Sequence, residues 1–87
     1  MTTQSNAEPT NADRAAWAKE ALAAFTTLTY CGDQPDTMDR NDLDCAISDL
    51  ICDLLHYALQ QTLDIGIIVQ QAFRNFAVEL LDEEMLP

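Results

Sequence analysis

Two carboxylates and the single histidine of the chain recur at helical spacing. Asp49, Asp53 and His56 are four and three residues apart, which places them on one stripe of a helix. Carboxylate and imidazole groups bind Mg²⁺, Mn²⁺ or Zn²⁺, so the stripe is a candidate metal site. Asp49 and His56 lie two turns apart, so one helix rarely completes such a site. Further ligands would come from another helix or subunit, with the candidates Glu79, Asp82 and Glu83.

The alternative is that this stripe is the solvated edge of an otherwise buried helix. Carboxylates on the surface of helices are ordinary, and Asp53 and His56 at i, i+3 would pair only modestly. This second interpretation is favoured. No catalytic residue, cofactor or metal ligand is therefore assigned, and the stripe stays a weak candidate.

The chain has three cysteines, Cys31, Cys45 and Cys52, and no Cys-x-x-Cys motif. Cys45 and Cys52 would be about 10 Å apart on a helix, beyond disulfide reach. Acidic surroundings disfavour a thiolate, which argues against a Cys52–His56 catalyst. The sequence shows neither the apolar run of a signal peptide nor a membrane span. We therefore expect a reduced, cytoplasmic protein whose cysteines are small buried hydrophobes.

Acidic residues dominate the charge of the chain. Fifteen Asp and Glu residues face four Lys and Arg residues, for a formal net charge of −11. Such a surface repels the phosphates of nucleic acids and anionic membranes. Its natural partners are basic proteins, including surfaces that normally hold nucleic acid. The competing explanation, that the acidity gives only solubility, stays open.

Four aspartates recur every third residue around the loop 31–41, namely Asp33, Asp36, Asp39 and Asp42. The spacing excludes an EF-hand loop, which needs alternate oxygen ligands and a Gly at its sharp turn. Turn and capping chemistry is favoured here, and an exposed acidic loop that contacts a basic partner is the alternative. The C-terminal acids oppose their own helix dipole, so that end either frays or uses the charge. The predicted partner-binding residues are the four loop aspartates with Asp82, Glu83 and Glu84.

The apolar pattern predicts an all-α chain. Residues 1–10 are polar and without period, which predicts a disordered tail. A single helical domain over residues 11–87 follows. The scarcity of glycine, two residues in the chain, favours helices over a strand-rich fold. Short links predict antiparallel neighbours in a three-helix bundle-like domain.

The three predicted helices cover residues 12–28, 42–61 and 65–82. The predicted core face of the first comprises Trp17, Ala21, Ala24, Phe25 and Leu28. Thr10 or Asn11 is the expected N-cap of the first helix, Asn41 or Asp39 that of the second, and Asp64 that of the third.

The second predicted helix is apolar over most of its circumference. Its main stripe comprises Leu43, Ile47, Leu50, Leu54 and Tyr57, and Cys45, Cys52 and Leu59 lie on the far side. A helix that is apolar on more than one face is usually covered on more than one face. Two neighbouring helices or a second subunit could provide that cover. We predict a helix-mediated homodimer.

The run Glu79-Leu-Leu-Asp82 resembles an acidic pair of the all-α nucleoside-triphosphate pyrophosphohydrolases, the MazG-like and dimeric dUTPase group. The resemblance implies an alternative function, a Mg²⁺-dependent hydrolase of nucleotides that uses Asp49, Asp53 and Glu79 across a dimer. The chain departs from that pattern because Asp49 and Asp53 lack the family's Glu-x-x-Glu spacing. It also lacks a basic cluster for the triphosphate, so catalytic roles are not carried over.

In size and charge the whole chain is similar to small acidic helical inhibitors of phages and mobile elements, including anti-CRISPR and DNA-mimic proteins. That resemblance implies carboxylates that stand in for phosphates in an Arg- and Lys-lined groove. The leading hypothesis is therefore a non-enzymatic interaction module that binds a basic protein and neither nucleic acid nor membrane. A structural subunit of a larger assembly is a further alternative.

Overall fold

The computed structural model describes residues 8–84 and consists of three helices. These are α1 (Asn11–Thr29), α2 (Arg40–Gln60) and α3 (Ile65–Glu84), with a short 3₁₀ turn, Pro35–Thr37, between α1 and α2. No strand occurs among the described residues. The prediction of an all-α, three-helix fold is confirmed, whereas the homodimer stays a prediction. Residues 1–7 of the predicted tail lie outside the described residues.

Each helix begins at a side-chain cap. Thr10 and Asp13 form a capping box, with hydrogen bonds of 3.1 and 3.0 Å between each side chain and the other's backbone N–H. Asp39 and Asp64 each accept from the backbone N–H three residues further on, at 2.8 and 3.0 Å. The predicted caps of α1 and α3 are thus confirmed, and α2 uses Asp39 instead of Asn41.

A Schellman turn ends α2 and reverses the chain into α3. The Leu63 N–H donates to the Ala58 carbonyl and the Thr62 N–H to the Leu59 carbonyl, both at 3.0 Å. Thr62 occupies the left-handed position of this turn, with a φ of 63°. Glycine usually fills that position because a β-branched residue is strained there. Formation of this turn therefore costs conformational free energy at Thr62.

The buried core is small. Within residues 8–84 it consists of Leu22, Thr26, Ala46 and Ala58. Thr26 and Ala46 have no exposed area, and each lies about one turn from the Tyr30–Asp49 hydrogen bond that links α1 to α2. Small side chains at this point allow the two helices to approach closely.

The buried face of α1 is not the predicted one. Trp17 and Leu28 are 59% and 84% exposed, whereas Leu22 and Thr26 on the other side of the helix are buried. The prediction was wrong because α1 carries alanine on every side, so the apolar spacing does not distinguish one face from another.

Two polar contacts between the helices lie at the ends of α1. Asn11 at the start of α1 contacts the end of α3, and Tyr30 just after α1 contacts α2. Fourteen large hydrophobic side chains of the described residues are 43% to 84% exposed. The bundle is therefore open, and much of its apolar surface faces solvent. No helix among residues 8–84 is long and apolar enough to cross a lipid bilayer.

Candidate protein-interaction surface

The connection between α1 and α2 presents Asp33, Asp36 and Asp39, and Asp42 follows in the first turn of α2; all four are exposed. Asp36 forms an ion pair with Lys19 at 2.7 Å, and Asp39 caps α2. The side chains of Asp33 and Asp42 accept no hydrogen bond from any described residue. Turn, capping and pairing chemistry thus occupies Asp36 and Asp39 and leaves Asp33 and Asp42 directed at solvent.

The C-terminal acids lie beside the start of α1. The Asn11 N–H donates to Glu83 Oε2 at 2.6 Å, and the Asn11 side-chain amide donates to the Glu79 carbonyl at 3.1 Å. Arg14 pairs with the Glu79 carboxylate at 3.3 Å. The positive end of the α1 dipole therefore faces carboxylates that oppose the dipole of α3. The chain uses this charge to join α3 to α1.

A cavity of about 580 Å³ opens at this junction. Its lining includes Glu8, Arg14, Glu79, Asp82 and Glu83. Four carboxylates thus surround one guanidinium, which the ion pair with Glu79 already neutralises in part. A Lys or Arg side chain of a partner entering this cavity would meet a surplus of negative charge. Asp82 and Glu83 are exposed, and the side chain of Glu84 lies outside the described residues.

The two acidic clusters contact different parts of α1. Asn11 and Arg14 contact the C-terminal cluster. Lys19 in the middle of α1 pairs with Asp36 of the connection, and Thr27 accepts a hydrogen bond from Gln34 at 3.2 Å. The predicted partner-binding residues therefore form two separate patches instead of one continuous surface.

The Asp49, Asp53 and His56 stripe is exposed on α2. Asp49 accepts a hydrogen bond of 2.5 Å from the Tyr30 hydroxyl, and this bond is the main reason why the pKa of Tyr30 is raised from 10.0 to about 12. Among residues 8–84, no three His, Cys, Asp or Glu side chains are grouped so that they could hold a metal ion. Glu79 was a candidate for completing this site. Within one chain it pairs with Arg14 near the start of α1, whereas Asp49 bonds to Tyr30 just after the end of α1.

The three cysteines are exposed free thiols. The expectation that they are small buried hydrophobes was therefore wrong. Cys45 and Cys52 lie on the side of α2 away from its buried Ala46 and Ala58, and no described helix covers that side. Cys31 lies in the loop after α1, with a left-handed φ of 54°.

An apolar groove of about 490 Å³ runs between α1 and α2. We call it the α1–α2 groove, and its apolar lining includes Ala15, Ala18, Leu22, Ile47, Ile51 and Leu54. The sequence identified its α2 wall as an apolar stripe but assigned the opposite face of α1 to the core. The spacing of Ala15, Ala18 and Leu22, at i, i+3 and i+7, was the pattern that could have revealed the α1 wall.

Comparison with protein-family models, with curated proteins and with solved structures finds no match to this chain. The resemblances to pyrophosphohydrolases and to small acidic inhibitors therefore stay predictions. The charge and the geometry of the molecule are the observations that bear on its function.

Proposed function

We propose that this chain is a small acidic interaction module, without catalytic activity, that inhibits or regulates a basic, nucleic-acid-binding protein of the cytoplasm. The excess of negative over positive charge on the surface is the observation that supports the proposal. Thirteen of the fourteen acidic side chains that the structure describes are exposed, whereas Arg14 and Lys19, two of the four basic residues, are held in ion pairs. Such a surface attracts Arg- and Lys-rich proteins and repels nucleic acid. The free thiols support a reducing compartment.

The two acidic clusters suggest how a basic surface would be engaged. The connection offers Asp33, the first turn of α2 offers Asp42, and the junction of α1 with α3 offers Asp82 and Glu83 around an open cavity. Because the two clusters contact different parts of α1, a partner that engages both must present basic groups along an extended groove. Grooves that bind a nucleic acid backbone have this extended distribution of positive charge.

Capture from a bacterial lysate tests the proposal. The immobilised chain should retain basic, nucleic-acid-binding proteins that mass spectrometry identifies. Because the contact is electrostatic, moderate salt should release them. Duplex DNA added as competitor should release them too, because it occupies the same basic groove. Retention of proteins of ordinary charge, insensitive to salt and DNA, would refute the proposal.

A pair of charge-matched variants locates the contact. Replacing Asp33, Asp36 and Asp42 by Asn removes three charges from the connection and the first turn of α2 and spares the Asp39 cap. The control replaces Glu20 by Gln, and Asp44 and Asp53 by Asn, which removes three exposed charges elsewhere. The proposal predicts weaker capture by the first variant than by the control. Equal losses would mean that net charge alone is sensed.

A second candidate function, a subunit of a larger assembly, is favoured by the exposed apolar side chains. Trp17, Tyr57, Phe73 and Phe76 are 59% to 70% exposed. Together they present about 500 Å² to solvent, taking roughly 200 Å² for a full aromatic side chain. Exposed apolar surface on this scale marks association sites when it is contiguous. Stable, salt-resistant complexes of high mass would support this candidate over the first.

A further inference from the structure

The α1–α2 groove is left open in the single chain. Its walls come from α1, α2 and their connection, and no residue of α3 lines it. Ile47, Ile51 and Leu54 on its α2 wall are 47%, 54% and 56% exposed. A groove of this size and apolar character is of the kind that holds an amphipathic helix.

The helix α3 has an apolar face that no described residue covers beyond its first two turns. Ile65 and Val69 are half-buried near its start, and helical spacing continues their face through Phe73, Phe76 and Leu80. These three side chains are 70%, 62% and 43% exposed. The same chain therefore contains an apolar groove without a helix and an apolar helix face without a groove.

We propose that a second copy of this chain fills the groove. The Phe73–Leu80 face of α3 from one copy lies in the α1–α2 groove of the other, and a two-fold axis repeats the contact. The six exposed residues that would meet, counting Ile47, Ile51 and Leu54, present about 600 Å² per copy when residue areas of about 150–250 Å² are used. Complete burial of these side chains in two copies removes about 1,200 Å² from solvent, the lower limit for a stable interface.

Charge favours a second copy over a basic partner as the occupant. Among the described residues, the charged side chains that line the groove are Lys19 and Asp36, which pair with each other at 2.7 Å. The groove therefore has no net charge to attract a basic helix. Asp42, Asp49 and Asp53 lie about 120° around α2 from the groove wall, so docking keeps these acids out of the groove. Glu83 borders the docking face of α3 and is held by the Asn11 N–H of its own chain. The inference is independent of the proposed function.

The mass of the protein in solution, measured by sedimentation equilibrium at micromolar concentration, tests this inference. The wild type should weigh twice the chain mass of 9.7 kDa. Leu54→Lys in the groove and Phe76→Lys on α3 should each weaken the dimer by at least about 100-fold, because each buries a charge in both contacts. Leu28→Lys is the matched control, since Leu28 is 84% exposed and lies outside the groove. Circular dichroism should show unchanged helix content in all three variants.

Mixing the two variants tests the pairing itself. Leu54→Lys keeps an intact α3 face and Phe76→Lys keeps an intact groove, so the heterodimer has one undamaged contact and one that carries both lysines. Because one buried lysine is expected to abolish the contact that carries it, the second lysine in that contact costs little more. The mixture should therefore associate more tightly than either variant alone. A dimer that survives Phe76→Lys would indicate contact between the two grooves. A dimer that survives Leu54→Lys would indicate contact between the two α3 helices. Either result overturns the proposed pairing of α3 with the groove. A monomeric wild type, or a Leu28→Lys variant that dissociates equally, overturns the proposal.

Discussion

Removing the Glu83 carboxylate should loosen the junction between the two ends of the fold. Glu83 accepts a 2.6 Å hydrogen bond from the Asn11 N–H, at the positive end of α1. A hydrogen bond to a charged group contributes about 1.5–3 kcal/mol when protected from water. Glu83 is exposed, so we discount that value strongly for solvent screening. A favourable helix-dipole term of a few tenths of a kcal/mol remains. We therefore expect Glu83→Ala to lower the free energy of unfolding by no more than about 1 kcal/mol, because relief of the α3 dipole partly offsets the lost contact.

The assay is thermal and urea denaturation followed by circular dichroism. A loss of about 1 kcal/mol corresponds to a fall of roughly 4–8 °C in the melting temperature of a domain of this size. Asp82→Ala is the matched control, because Asp82 makes no hydrogen bond to a described residue yet opposes the same α3 dipole. Its removal should leave stability unchanged or raise it slightly. If both variants stabilise the protein equally, the Asn11 contact contributes nothing and the reasoning is refuted.

Three further predictions concern the turn, a phenol and the metal question. Thr62→Gly should raise the free energy of unfolding by about 0.5–1 kcal/mol, because glycine relieves the left-handed strain of the Schellman turn; a Thr62→Ala variant, which keeps a Cβ, should gain less in urea denaturation. In a Tyr57→Phe background, the ultraviolet titration should show Tyr30 ionising with a pKa of about 12, and Asp49→Asn should move that pKa back towards 10.0. The pKa of Tyr30 is higher in the folded than in the unfolded protein, so the stabilisation from its hydrogen bond is complete below about pH 10 and is lost as the pH rises through about 12. A free energy of unfolding that stays constant over that pH range would contradict the assigned hydrogen bond. Titration with Mg²⁺ or Mn²⁺ should leave the melting temperature and the His56 NMR resonance unchanged, and a shift of either would favour the hydrolase alternative.

The sequence predicted the structural features that depend on residues close together in the chain, namely the helices and their caps. The three helices follow from the apolar spacing and the scarcity of glycine. The caps Thr10 and Asp64 follow from the chemistry of single positions within one turn. The start of α2 was predicted as one of two alternatives because Asp39 and Asn41 are both good caps, and the geometry of the connection selects Asp39.

The sequence did not predict which surfaces meet. Asn11 and Glu83 are 72 residues apart, and no local pattern indicates that they are bonded. The core face of α1 was misassigned because alanine surrounds that helix, so the packing partner decides which side is buried. The cysteines were expected to be buried because Cys45 and Cys52 lie on an apolar side of α2. Such a side is buried only where another helix packs against it, and local sequence does not show where that is.

Binding to a basic protein tests the central claim most directly. The dissociation constant of the complex with the most abundant captured protein should be measured at several salt concentrations. The logarithm of the affinity should fall steeply and linearly with the logarithm of the salt concentration, and the Asp33, Asp36 and Asp42 variant should have a shallower slope than its matched control. An affinity that stays constant across salt, or that is equal for both variants, would contradict the central claim.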